Sequence, residues 1–172
     1  MHPKRVLVAG AAGFIGSHLV DRYLGDGAAV VGVDNLLTGT RTNLDGARAA
    51  KDFAFFEADV SGDWEPLIER IERDGLVPEL ILHLASPASP IDYFNVPLAT
   101  MAANSLGTQN CLEAARRWNS RFLFASTSEA YGDPLVHPQR EDYWGNVNPV
   151  GPRACYDESK RFGEALTMTY VR

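Results

Sequence analysis

Tyr156 and Lys160 stand four residues apart in a 17-residue stretch, Cys155 to Val171, that carries a helical pattern. On a helix that spacing puts both side chains on one face. A phenol beside an ammonium suits removal of a proton from an alcohol. A free tyrosine has a pKa of about 10, too high for a base at neutral pH. Lowering it by about three units needs roughly 4 kcal/mol of differential stabilisation. A nearby ammonium, or another cation bound beside the phenol, acts in that direction. Ser126-Thr127-Ser128-Glu129 close an apolar run, Arg121 to Ala125. A hydroxyl there can hydrogen-bond a substrate alcohol and a phenolate. The plainer alternatives are a surface Tyr with a solvated Lys, and a capping box from Ser126 to Glu129.

A second group concerns phosphate. Gly10, Gly13 and Gly16 punctuate GAAGFIG, which follows one apolar run and opens a helical one. In that context Gly10 permits a tight turn, Gly13 lets backbone approach a pyrophosphate, and Gly16 lets helix pack on strand. The free N–H groups of the helix start, at Phe14 and Ile15, face the phosphates. The spacing is GxxGxxG and not GxGxxG, and a mere tight turn is the alternative. Asp34 ends the next apolar run, followed by Asn35. An acid there hydrogen-bonds ribose hydroxyls and repels a 2′-phosphate, which favours NAD over NADP. Arg41, in the loop beyond, works slightly against that preference. Asp59 and Val60 follow the third run and are candidates for flanking an adenine.

These residues need a frame. Apolar, β-branched runs predict strands at Lys4–Ala9, Ala28–Val33, Phe53–Glu57, Leu80–Leu84 and Arg121–Ala125. Helical spacing predicts helices at Phe14–Leu24, Trp64–Arg73, Leu98–Trp118 and Cys155–Val171. Asn35–Asn43 reads as a polar loop. Ala85–Pro97 holds three prolines and reads as a rigid loop and not a helix. Ser126–Ala154 reads as a long, ordered functional loop, because it carries Tyr131, Tyr143, Trp144 and four prolines. Alternating strands and helices predict an α/β fold: a Rossmann-like, doubly wound parallel sheet with helices on both faces. Residues 1–172 then form one dinucleotide-binding domain. A doubly wound sheet ordinarily gains a sixth strand, and ALTMTYVR stops inside a helical pattern. The chain is therefore expected to be the N-terminal portion of a longer protein, truncated before a C-terminal substrate domain.

Composition narrows the partners. Lys plus Arg number 16 against 22 Asp plus Glu, a formal net charge of −6. That argues against a nucleic-acid partner or an anionic membrane surface. No apolar run approaches the roughly 18 residues of a membrane span. Cys111 and Cys155 make no disulfide framework, and a reducing, cytoplasmic setting is expected. His2, His18, His83 and His137 lack zinc-site spacing, so no metal is expected. His83, in an apolar strand, reads as a satisfied core histidine.

Together, Gly10 to Gly16, the Ser126–Glu129 strand end and Tyr156/Lys160 resemble the extended short-chain dehydrogenase/reductases. Three longer stretches narrow the resemblance: VDNLLTGTRTNL (Val33–Leu44), HLASPASPIDY (His83–Tyr93) and ASTSEAYGDPLVHPQREDYWGNVNPVGPRACYDESKR (Ala125–Arg161). They are similar to the UDP-glucuronate decarboxylases, which make UDP-xylose. The resemblance implies tightly held NAD, oxidation at sugar C4, loss of CO₂ from the resulting β-keto acid, reprotonation at C5 and return of the hydride. It makes Tyr156 the base, and Lys160 the residue that lowers its pKa and holds the nicotinamide ribose. Thr127 then bonds the C4 oxygen, and Glu129 and Ser128 lie near the sugar carboxylate. Pro87, Ser89 and Tyr93 line the substrate side. Leu84, Ala85 and Asn104 lie along the cofactor or the inner substrate wall. A homodimer through the helices Leu98–Trp118 and Cys155–Val171 also follows from it. Ser159 replaces the family's usual glycine in YDEGK, with little effect expected. The family's C-terminal half supplies most of the uridine-diphosphate site and an arginine, so turnover by this chain alone is not expected.

The alternatives are a dTDP-glucose 4,6-dehydratase, a UDP-sugar 4-epimerase and a non-catalytic NAD-binding module. Ser128 stands where the dehydratase pattern has an acid. Glu129 and the SPASP loop argue against an epimerase, and intact Tyr156 and Lys160 argue against a module without chemistry.

Overall fold

A computed structural model of the chain describes residues 3–172; His2 lies outside them. Five strands form one parallel sheet: β1 Arg5–Ala9, β2 Ala29–Asp34, β3 Phe53–Glu57, β4 Leu80–His83 and β5 Arg121–Phe124. Their spatial order is β3-β2-β1-β4-β5. Ala9 at the end of β1 pairs with Val33 on one side and His83 on the other. The chain thus winds outward in both directions from β1. The gap where the winding reverses lies beyond the carboxyl ends of β1 and β4, the place where open α/β sheets bind ligands.

The core follows from the strand period of two. In β1, Val6 and Val8 face one layer while Leu7 and Ala9 face the other, and all four are fully buried. The first layer packs Val20 of α1 (Phe14–Gly25) with Val30 and Leu82. The second packs Ile68 and Ile71 of α2 (Glu65–Arg73) with Cys111 and Ala115 of α5 (Leu106–Trp118). Helices therefore cover both faces of the sheet. Among the described residues β5 pairs with β4 alone, and its Leu123 is half exposed.

Three segments differ from the sequence pattern. Ala85–Pro97 is not all loop: α3 spans Pro90–Asn95 and α4 starts at Pro97. Both prolines sit in a first helical turn, where the missing N–H costs nothing and the fixed φ helps. The long helix expected over Leu98–Trp118 is two helices, α4 (Pro97–Asn104) and α5, broken at Ser105. The hydroxyls of Ser105 and Thr108 donate to the carbonyls of Met101 and Asn104, a back-bonding that bends helices. Within the polar loop, Arg41–Leu44 forms a 3₁₀ turn that buries Leu44. The last helix, α6, runs Ala154–Val171. The long loop before it is ordered by a 3₁₀ turn at Ser128–Tyr131, a Gly132–Asn146 bridge and a stack of Tyr131 on Tyr143.

Candidate active site

The glycine turn is built for close approach. Gly10 has φ +88°, and a Cβ there would fall 2.7 Å from the backbone nitrogen of Ala85. A Cβ on Gly16 would fall 1.9 Å from the Gly10 carbonyl oxygen. The two glycines thus let β1 run straight into α1. Helix α1 begins after Gly13 with no side-chain cap and no acid in its first turn. Its first N–H groups and the positive end of its dipole face the crevice, an arrangement that suits a phosphate. The side chains of Phe14 and Ile15 are exposed and turned away from the core.

Gly10, Gly13, Asp34, Asn35, Asp59, Val60, Leu84 and Ala85 line one crevice. Pro87 lines the same crevice, whereas the sequence reading put it on the substrate side. Ser89 is exposed and precedes α3. Leu37, Thr38 and Gly39 also line the crevice and escaped the sequence reading. They belong there because the loop after β2 is tied down onto Ala12: Thr40 N and Asn43 Nδ2 both donate to its carbonyl, at 3.1 and 2.8 Å. Asp34 is buried, and its carboxylate accepts N–H bonds from Ala12 and Leu36 at 2.9 and 2.8 Å. Each oxygen keeps a second lone-pair site, so the carboxylate still has room for a ribose hydroxyl. Burial opposes the charge on Asp59, but hydrogen bonds from Ser61 and Asn35 outweigh it and hold this acid below its usual pKa. Arg41 forms an ion pair with Glu57 and lies over the Phe55 ring. It is engaged with β3.

Tyr156 and Lys160 share one face of α6, and both are buried. Lys160 Nζ donates to the Ala125 carbonyl at 2.7 Å and sits 5.8 Å from the Tyr156 ring centre. Burial pulls the lysine down to about 8. The sequence reading expects a lowered Tyr156; the structure gives the opposite direction. Burial raises it first, and the nearby acidic groups Glu129, Tyr93 and Asp157 add to that, while a hydrogen bond with Thr127 lowers it. The Thr127 hydroxyl also caps the 3₁₀ turn by accepting from Glu129 N at 3.2 Å. The cap is therefore Thr127, not Ser126, which bonds Glu164 instead. Ser128 is exposed. The Glu129 carboxylate pairs with Arg153, a residue the sequence reading missed. No spacing signal could have found it, because the pair joins a strand end to a helix start 24 positions away.

Two further placements need correction. The sequence reading puts Tyr93 on the substrate side, but α3 turns it inward and leaves it 1% exposed. Its ring stacks on Tyr156, with centres 5.0 Å apart and planes 9° apart, and its hydroxyl has no partner. Asn104 is fully buried, so it forms no wall. The break after α4 points it at α6, where Nδ2 donates to Ser159 Oγ at 3.0 Å and Oδ1 has no partner. Ser159 in turn donates to the Cys155 carbonyl at 2.6 Å. His83 is a core residue with Nε2 3.2 Å from the Ala103 carbonyl, but Nδ1 has no partner, so it is only half satisfied. Burial, with Lys160 nearby, pushes its pKa down to about 3. Among the described residues no helix is long and apolar enough to cross a membrane.

The fold and the site can be set against known proteins. A family model described as GDP-mannose 4,6 dehydratase matches residues 7–172. A UDP-glucuronic acid decarboxylase 1 of Danio rerio is 48% identical over 169 residues, which are 98% of this chain and 38% of that protein. UDP-glucuronic acid decarboxylase 2 of Arabidopsis thaliana is 49% identical over 168 residues, again 98% of this chain and 36% of the other. The chain thus spans well under half the length of these relatives. The Bordetella bronchiseptica enzyme WbmG, solved in complex with NAD, superposes with a TM-score of 0.80 at 28% identity, over 98% of this chain and 50% of that one. A UDP-glucose 4-epimerase of Thermotoga maritima, solved with UDP-glucose, gives 0.79 at 32% identity, over 98% and 51%. The chain belongs to the GDP-mannose 4,6 dehydratase family of short-chain dehydrogenase/reductases.

Proposed function

We propose that this chain is the dinucleotide-binding and proton-transfer half of an NAD-dependent UDP-glucuronate decarboxylase. The observation that carries the reading is one arrangement: Thr127 and Glu129 at the end of β5, beside buried Tyr156 and Lys160 on α6. The identity of nearly half of all positions to the Danio and Arabidopsis decarboxylases supports the substrate.

The residues fit the cofactor. The uncapped start of α1 suits a pyrophosphate, and Asp34 keeps lone pairs for ribose hydroxyls. A 2′-phosphate would meet the Asp34 charge, and Arg41, its natural partner, is occupied by Glu57. That favours NAD. When bound, NAD supplies a hydride acceptor at C4 and later the hydride donor.

The chain's own groups do the rest. Tyr156 takes the proton of the C4 hydroxyl, and Thr127 holds the oxygen. Lys160 is charged below about pH 8 and, near the phenol, favours its ionised form. The C4 ketone makes the sugar a β-keto acid. The C5–carboxylate bond breaks, its electron pair moves into the enolate, and CO₂ leaves. Ser128 and Glu129 face the departing carboxylate, and a proton then returns to C5. A homodimer through α4, α5 and α6 belongs to the same reading. Exposed Leu98, Met101, Phe162 and Met168 support it, and a purely monomeric sedimentation profile would refute it.

The test uses the full-length polypeptide with NAD⁺ and UDP-glucuronate, read by mass spectrometry and absorbance at 340 nm. The expected result is loss of CO₂ to a UDP-pentose with no net NADH. Accumulating NADH with a ketopentose would refute the closed redox cycle. Untouched substrate would overturn the assignment in favour of a dehydratase or an epimerase.

A further inference from the structure

Arg153 closes the turn that leads into α6, three residues before Tyr156, and its guanidinium pairs with the Glu129 carboxylate. The two residues line a cleft together with Asp133 and Asp157. Arg153 is the one cation among the residues lining that cleft, against three carboxylates. Its Nε and one oxygen of Asp157 are buried without partners. The pairing also keeps the guanidinium firmly charged.

This matters for an acidic substrate. A lone Glu129 would put a full negative charge where the proposed reaction brings a second carboxylate. Two unit charges of like sign at close range cost several kcal/mol where the effective dielectric is low. The single Nη2 contact of Arg153 on Glu129 offsets that charge and fixes the direction of the carboxylate.

We infer that Arg153 is a charge-compensating, positioning residue: it neutralises Glu129 so that the site accepts a sugar carrying a carboxylate. The inference rests on the decarboxylase reading, and it adds a residue that selects the substrate class. Arg153 need not touch the substrate; it acts through Glu129. The same cancellation bears on Tyr156. The groups acting on that phenol are Glu129 from the β5 turn, Tyr93 from α3 and Asp157 from α6, with Lys160 5.8 Å from the ring centre; Arg153 faces those same three acids and so acts on the phenol through them. His83 of β4 faces Lys160. Removing the arginine leaves the acids dominant, so the phenol ionises at higher pH.

The test uses the full-length, NAD-loaded protein and measures the Kd of UDP-glucuronate and of UDP-glucose by calorimetry. For Arg153→Gln the expected result is about tenfold weaker UDP-glucuronate binding with UDP-glucose changed less than twofold. Arg153→Lys keeps most of the preference. Adding Glu129→Gln to Arg153→Gln restores UDP-glucuronate binding, although turnover stays low. Glu129→Gln alone, which does not depend on how the arginine variants fold, tightens UDP-glucuronate binding several-fold. The pH profile of NAD⁺ reduction moves its acid limb up by about half to one unit in Arg153→Gln. Equal weakening toward both sugars, no recovery in the double variant, or weaker binding in Glu129→Gln would each overturn the inference. A parent protein with no preference for UDP-glucuronate would instead refute the decarboxylase reading.

Discussion

Replacing Ser159 by glycine, an exchange from which the sequence alone leads one to expect little, tests how α6 is anchored. Ser159 is 4% exposed and stands between Asn104 of α4 and the first turn of α6. Its hydroxyl accepts from Asn104 Nδ2 and donates to the Cys155 carbonyl. Asn104 already has an unpartnered Oδ1, so losing Ser159 Oγ leaves its whole side-chain amide buried without a partner. An unsatisfied buried donor costs about 1–3 kcal/mol. Glycine inside a helix adds about 1 kcal/mol relative to alanine. The expected loss is therefore roughly 2–4 kcal/mol, or a Tm lower by about 5–15 °C for a chain of this size. Thermal unfolding followed by circular dichroism measures it. Ser159→Ala separates the terms, since it deletes the hydroxyl and keeps the helix propensity. In an Asn104→Ala background the glycine change costs only the helix part, which gives a coupling of about 1–3 kcal/mol between the two positions. Strictly additive losses, or an unchanged Tm in Ser159→Gly, would show that the hydrogen bond anchors nothing.

Other variants address the crevice and the buried charges. Gly10→Ala has to fit a Cβ at positive φ against Ala85 backbone, so it abolishes dinucleotide binding and lowers Tm; fluorescence titration with NADH reads the first effect. Lys160 titrates at about 8 when folded and about 10.4 when unfolded, so the cost of burying its charge is present below pH 8 and is relieved as pH rises toward 10.4. Denaturant curves of the parent and Lys160→Met therefore change in relative stability by up to about 3 kcal/mol across that window, in favour of the parent at high pH. His83 has a folded pKa of about 3 against an unfolded value of about 6.5, so the parent loses stability as pH falls between those values. His83→Phe has a flatter stability profile there, and an unchanged slope would place the titrating group elsewhere.

The sequence revealed whatever is written in local periodicity. All five strands and the glycine turn could be read to within a residue or two, because alternation and β-branching at Val6–Ala9 or Val30–Val33 have no competing interpretation. The helix break at Ser105 could not, since it depends on hydroxyls choosing carbonyls four residues back, and a helical stripe of apolar residues runs across it regardless. Prolines misled at α3 because Pro90 and Pro97 forbid a helix interior but favour a helix start, and the difference is one position. In the site, the motif residues were legible as types and the pairings were not. Arg153 with Glu129, Asn104 with Ser159 and Tyr93 against Tyr156 each join segments distant in sequence. Only the packing of α3, α4 and the turn after β5 against α6 brings them into contact.

The free edge of β5 has a colloidal consequence. A strand partnered on one side presents a row of unpaired N–H and C=O groups, and RFLF adds a half-exposed Leu123 to that row. What keeps two such edges apart at low salt is charge, because each chain carries a formal −6. Salt shortens the reach of that repulsion to about 8 Å at physiological strength. The isolated chain is therefore a salt-sensitive colloid: light scattering rises as sodium chloride is added, and a lysine in place of Leu123 suppresses the rise.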